Sequence, residues 1–145
     1  MQNVVLSAVT PAPNSSVSPS RAAKIGGYVI SGLPVAFLAM DATMKLLVVQ
    51  PAVEGTQKLG YDPAVIFPLG VTQLLCLIVY LFPRTSVLGA ILWTGYLGGA
   101  VATHVRMGDP WLSHILFPVY LGVMLWLGLW LRSPTLRAVV PLRHG

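Results

Sequence analysis

The sequence predicts an all-α fold, a four-transmembrane-helix bundle with its N-terminus and C-terminus cytoplasmic, and three observations carry that expectation. Four apolar stretches, residues 23–49, 64–82, 86–106 and 112–131, each reach the ~20 residues that a helix needs to cross a bilayer. Of the 145 residues, 55% are hydrophobic and only 9% are charged, and the mean hydropathy is +0.76. Basic residues gather on one side of the stretches: Arg21 and Lys24 at the start of the first, Arg84 between the second and third, and Arg132, Arg137 and Arg143 after the fourth. The positive-inside rule places those segments in the cytoplasm. Because hydrocarbon offers no water to backbone amides, each stretch should be a helix rather than a strand or loop. The net charge of +5 would suggest nucleic acid in a soluble domain, but distributed in this way it is a topology signal, and no nucleic-acid partner is expected.

Residues 1–21 form an N-terminal tail whose first 20 residues carry no charged side chain and are rich in Ser and Pro. Such a composition packs no core and reads as disordered. It lacks the basic start, apolar run and small-residue cleavage site of a secretory leader, so insertion falls to the first helix. One transmembrane domain, 22–133, follows, and 134–145 form a short basic tail. The connection 50–63, where Lys58 is outnumbered by Glu54 and Asp62, and the turn 106–111 face the outside.

Within the first helix, Asp41 and Lys45 are four residues apart, which stacks carboxylate and ammonium on one face. An ionised side chain at the centre of a membrane helix costs at least ~2.5 kcal/mol unless it is paired or solvated. At 1.5 Å per residue from Ile25, Asp41 lies ~24 Å and Lys45 ~30 Å up the helix, in the outer part of the membrane. The pair either fixes helix register, with Lys45 snorkelling to the headgroups, or lines a functional cavity. The third helix brings Tyr96, Thr103, His104 and Arg106 towards the same surface, and the fourth starts there with Trp111, Ser113 and His114. The second helix offers Thr72 and Gln73. Together with Asp109 these residues can converge into one polar cluster that opens outward, although a histidine at a helix end, or Trp111, is also an ordinary interfacial residue.

Cys76 is the sole cysteine, which excludes an internal disulfide, a dithiol relay and a multi-cysteine metal centre. Surrounded by Leu74, Leu75, Leu77 and Ile78, it reads as a small apolar residue in a helix interface. His104 and His114 alone do not make a metal or haem signature, so no metal is assigned. Nucleotide fingerprints and catalytic triads are absent, which excludes most self-contained enzymes. On the third helix, Gly95, Gly98, Gly99 and Ala102 form a small-residue face suited to close packing against a neighbouring backbone. Pro34, Pro68 and Pro118 fall within the expected helices, where each frees a carbonyl four residues earlier and can bend the element.

Several runs resemble the DoxX-like family of small four-helix membrane proteins, over roughly Pro34 to Pro141. They are Asp41-Ala42-Thr43-Met44-Lys45-Leu46, Leu59-Gly60-Tyr61, Tyr80-Leu81-Phe82-Pro83-Arg84-Thr85, and above all TGYLGGAVATHVRMGDP from Thr94 to Pro110. Ser113 to Gly122 is similar to the family's fourth helix. The resemblance implies a multi-pass protein of the bacterial plasma membrane. The family includes subunits of thiosulfate:quinone oxidoreductases and members linked to oxidative-stress assemblies, and its distant relatives include eukaryotic membrane chaperone and trafficking proteins.

The expected function is that of a redox-associated subunit binding a quinone or similar amphipathic small molecule in an outward-facing polar cavity. Any enzymatic activity would be that of an accessory subunit completed by a soluble or membrane redox partner. The candidate ligand-binding residues are Asp41, Lys45, Gln73, Tyr96, His104, Arg106 and His114, with Trp93 and Phe117 as apolar walls. Quinone is the one cofactor in view, and a homo-oligomer stays open. The alternative is a non-enzymatic lipid-binding or membrane-protein assembly protein of chaperone type, in which Asp41 and Lys45 serve packing alone.

Overall fold

The computed structural model describes residues 19–139, all helices and connections with no strand. Most of the expected tail 1–21 and the end of the basic segment 134–145 therefore lie outside the described residues. Ser20 accepts a hydrogen bond from the Ala23 N–H and caps α1, Arg21–Leu46. Next come α2, Gln50–Lys58, a 3-10 turn at Pro63–Val65, α3, Ile66–Leu81, and α4, Ser86–Met107. A π-helical turn at Trp111–Ile115 leads into α5, Phe117–Arg132, and α6, Pro134–Val139, ends the described chain. Four stretches, Arg21–Leu46, Pro63–Leu81, Ser86–Met107 and Trp111–Arg132, are long and apolar enough to cross a membrane.

One element adds to the expected set and one local expectation needs correction. The connection 50–63 holds α2, whose Pro51 sits in the first turn where a missing N–H costs nothing. The short polar stretch has no membrane-spanning signal, and only its capping pattern could have revealed it. Of the three prolines, only Pro34 lies well inside a helix. Pro68 and Pro118 fall in the first turns of α3 and α5, where the helix has orphan N–H groups in any case. Pro118 still breaks the fourth stretch, because the chain reaches α5 only through the π-helical turn.

The four long helices run up and down and pack in a ring, α1 against α3 and α5, and α4 against α3 and α5. Lipid tails are as apolar as leucine, so this association rests on close packing and hydrogen bonds rather than on escape from water. Its closest approaches are made by glycines. A Cβ on Gly27 would meet the Gly128 carbonyl oxygen at 2.7 Å, and one on Gly128 would meet the Ser31 Cβ at 2.6 Å, which fixes the α1–α5 crossing. A Cβ on Gly89 would lie 2.3 Å from the Tyr80 Cα, which fixes the tight turn from α3 into α4. The glycines of the stripe expected to pack meet no neighbour among the described residues: a Cβ on Gly95, Gly98 or Gly99 would find nothing within 4 Å.

Between these contacts lies a core of Leu38, Cys76, Leu77, Tyr80, Trp93, Leu97 and Leu125. The Tyr80 hydroxyl crosses it to donate to the Leu125 carbonyl at 2.8 Å. At the end of the bundle where α1 begins and α5 finishes, the Arg132 guanidinium lies over the Tyr28 and Tyr80 rings at 5.0 and 5.4 Å. Arg137 of α6 donates to the carbonyls of Trp130 and Leu131, a cation placed at a helix C-terminus. Trp126 Nε1 donates to Thr94 Oγ1 at 2.9 Å and joins α5 to α4.

The glycine contacts make opposite predictions for one substitution. Gly89→Ala should lower stability by about 2 kcal/mol, because the obstacle is backbone. Gly98→Ala should be neutral or stabilising by up to ~1 kcal/mol, the difference in helix propensity. Denaturation in detergent micelles followed by circular dichroism measures both, and equal effects would contradict this packing.

Candidate functional site

Three helix ends at the α2 end of the bundle stop in the same way. After α1, α2 and α4 the chain turns left-handed, at Val48 (φ 50°), Gly60 (φ 79°) and Gly108 (φ 71°). Each turn sends two N–H groups back to the last helical carbonyls: Val48 to Lys45 and Val49 to Met44, Gly60 to Gln57 and Tyr61 to Thr56, Gly108 to Val105 and Asp109 to His104. Orphan carbonyls are satisfied, and the residue after each turn folds over the helix it has just left. The α4 stop thereby carries the Asp109 carboxylate to His104, where Oδ2 meets Nδ1 at 2.7 Å. The α2 stop presents Tyr61, whose hydroxyl lies 2.8 Å from Thr103 Oγ1. Thr103 gives its own proton to the Gly99 carbonyl at 2.9 Å, so Tyr61 is the donor to Thr103.

Asp41 joins two helices. It stands five residues before the end of α1 and Gln73 stands seven after the start of α3, depths of about 8 and 10 Å from the same end. Asp41 Oδ2 accepts from Lys45 Nζ one turn on, and from Gln73 Nε2 of α3 at 2.6 Å. The Asp41 side chain keeps 33% of its surface, so the carboxylate faces open space rather than a sealed core. Gln73 is 1% exposed and its Oε1 has no hydrogen-bond partner among the described residues.

That space is a cavity of about 430 Å³ between α1, α3, α4 and α5. Asp41, Lys45, Gln73, Tyr96 and His104 lie along it together with Thr56, Tyr61 and Thr103. Phe37, Leu38, Leu69, Leu97, Phe117 and Leu121 supply its apolar walls, with the Phe37 and Phe117 rings edge to face at 5.2 Å. The room exists because α4 contributes Gly95 and Gly99 to this face, which is the use found here for part of the unpacked glycine stripe. A second hollow of about 440 Å³ adjoins it, bounded by Asp41, Lys45, Thr56, Leu59, His104, Asp109 and His114. Five of these residues, Asp41, Lys45, Thr56, Leu59 and His104, also line the first cavity, so the second hollow is a vestibule to it.

Five of the seven candidate residues thus line the cavity, and His114 lines the vestibule alone. Its exposed ring stands edge-on to His104 at 5.8 Å between centroids, with Nδ1 2.8 Å from Ser113 Oγ. Arg106 points elsewhere: it donates to the Leu59 carbonyl at 2.8 Å, lies over the Tyr61 ring and pins the α2 stop to α4. Thr72 is exposed on α3 and donates back to the Pro68 carbonyl. Of the two expected apolar walls, Phe117 lines the cavity, whereas Trp93 is buried behind it, edge to face with Tyr96 at 5.6 Å. No three His, Cys, Asp or Glu side chains among the described residues gather closely enough to hold a metal ion. Sequence reasoning missed Thr56 and Tyr61 because it missed α2. The Gly60-Tyr61 pair after a polar, Pro-initiated run was the available signal.

The geometry of the stops can be tested at their left-handed residues. Gly108→Ala should cost about 1–2 kcal/mol, the penalty of a Cβ in that conformation. Val48→Gly, which relieves the same strain in a β-branched residue, should be neutral or stabilising. Thermal unfolding in micelles decides, and destabilisation by both would contradict the stop geometry.

The sequence model of the DoxX-like family matches residues 29–128, about two-thirds of the chain, and takes in every cavity residue named above. Neither the curated proteins nor the solved structures contain a match. The chain is a multi-pass, membrane-spanning helical bundle, and it belongs to the DoxX-like family.

Proposed function

We propose that this protein is a redox-associated membrane subunit that binds a quinone or a similar amphipathic small molecule in the cavity beside Asp41, with any oxidoreductase chemistry completed by a partner protein. One observation carries the reading: a cavity of ligand size has polar groups at one end and aliphatic and aromatic walls along the rest. A ring with an apolar substituent suits that division. Lys45 and Tyr96 are the donors for a ring oxygen, and Asp41 holds Lys45 in place. His104, shared between cavity and vestibule, is suited to carry a proton between ligand and surface. The positive-inside pattern supports a vestibule that opens on the outer face of a bacterial plasma membrane, with both termini inside.

A second reading, non-enzymatic lipid binding, draws on a different feature. A groove of about 530 Å³ between α4 and α5 is lined by Leu97, Gly98, Val101, Val119, Val123 and Trp126. It is nearly all apolar, as an acyl chain requires.

Titrating the protein in detergent with decylbenzoquinone, while following tryptophan fluorescence, should give saturable binding. Lys45→Met should weaken it at least about tenfold, the loss of one charge-assisted hydrogen bond. A wild type that does not saturate, or a Lys45→Met variant of unchanged affinity, would contradict the reading. For orientation, a membrane-impermeant maleimide added to whole cells should label Glu54→Cys and spare Arg84→Cys. The reverse pattern would invert the topology.

A further inference from the structure

Most protons along the cavity wall can be assigned from the hydrogen bonds that its side chains make. Asp41 is a carboxylate and only accepts, so the Gln73 amide must turn Nε2 towards it, which leaves Oε1 as the group without a partner. Asp109 also only accepts, so His104 holds a proton on Nδ1, and the neutral form of the ring offers its lone pair on Nε2. Tyr61 has given its proton to Thr103, and Thr103 to the Gly99 carbonyl. Thr56 has given its proton to the Ala52 carbonyl at 2.7 Å. Of the polar groups along the cavity, Lys45, Tyr96 and the second N–H of the Gln73 amide remain as donors, and Lys45 already serves Asp41.

We infer that the cavity selects ligands whose polar end carries hydroxyl protons, a quinol or phenol in preference to the matching quinone. This rests on the proposed function and sharpens it. A carbonyl oxygen can accept from Lys45 or Tyr96 and do nothing more. A hydroxyl can accept from the same donors and also donate to Gln73 Oε1, His104 Nε2 or the lone pairs of Tyr61 and Thr56. Gln73 sets the strongest demand, because its acceptor is buried at 1% exposure and nothing among the described residues satisfies it. Asp109 acts here as a positioning residue: it touches no ligand but decides which imidazole nitrogen offers a lone pair.

The test compares decylbenzoquinol, kept reduced under argon, with decylbenzoquinone by isothermal titration of the detergent-solubilised protein. The quinol should bind about tenfold more tightly, the effect of one additional satisfied buried acceptor. Asp109→Asn keeps the shape but lets residue 109 donate to Nδ1, which moves the ring proton to Nε2. That variant should still bind both forms, with the preference for the quinol reduced at least threefold. Gln73→Met, which removes the unpartnered acceptor, should reduce it as well. Equal affinities for the two forms in the wild type, or an unchanged ratio in Asp109→Asn, would overturn the inference while leaving the proposed function intact. If neither form binds, the proposed function fails and this inference with it.

Discussion

A carboxylate inside a membrane helix persists only where its charge is answered, and in this bundle the answer to Asp41 organises the end at which it lies. Lys45 meets it from one turn along α1, and Gln73 reaches it from α3. The first contact is local and lowers the insertion cost of both charges, which on their own would each cost at least ~2.5 kcal/mol at mid-helix. The second is tertiary: it ties α1 to α3 at matched depth and commits the Gln73 amide to one orientation. Across from this knot, α4 supplies Gly95 and Gly99 where larger residues would fill the space. A fixed charge on one wall and missing side chains on the other together produce the cavity.

The rest of the bundle is held by means that leave this end open. Gly27, Ser31 and Gly128 bring the start of α1 and the end of α5 into contact, and Gly89 sits on the Tyr80 backbone at the α3–α4 turn. Both crossings lie at the end away from the vestibule, where Arg132 also sits over two tyrosine rings. At the opposite end closure is left to α2 and to three left-handed helix stops. Those stops place Tyr61 and Asp109, two side chains that bond across to Thr103 and His104. Tight packing at one end and turn geometry at the other is a sound arrangement for a pocket that a ligand enters from one surface.

The four spanning helices were legible in the sequence because a run of about 20 apolar residues has one physical meaning in a membrane. Asp41 and Lys45 were legible as a pair because their spacing is local, and His104 because its depth follows from the direction of α4. Gln73 could be nominated from its depth, but its bond to Asp41 depends on the rotation of α3, which hydropathy does not encode. Arg106 was nominated on depth as well, and it turns to the Leu59 carbonyl instead. The glycine stripe on α4 was read as a packing face because small residues usually serve that purpose. Which glycines actually touch a neighbour is set by helix rotation, and the tight ones proved to be Gly27, Gly89 and Gly128. Likewise α2 escaped notice because a nine-residue polar helix gives no membrane signal.

Membership of the DoxX-like family agrees with the fold and assigns no reaction, so the chemistry of the cavity has to be argued from its own donors and acceptors. The contact between Asp41 and Gln73 fixes both the separation of α1 from α3 and the state of the wall. A double-mutant cycle on this pair measures the contact directly, using Asp41→Ala, Gln73→Met and the double variant in micelles, with unfolding free energy as the readout. The account predicts a coupling of about 1 kcal/mol or more, towards the upper end for interhelical hydrogen bonds in membranes. Additive effects, with a coupling within ~0.3 kcal/mol of zero, would mean that the two side chains do not meet and would contradict the account.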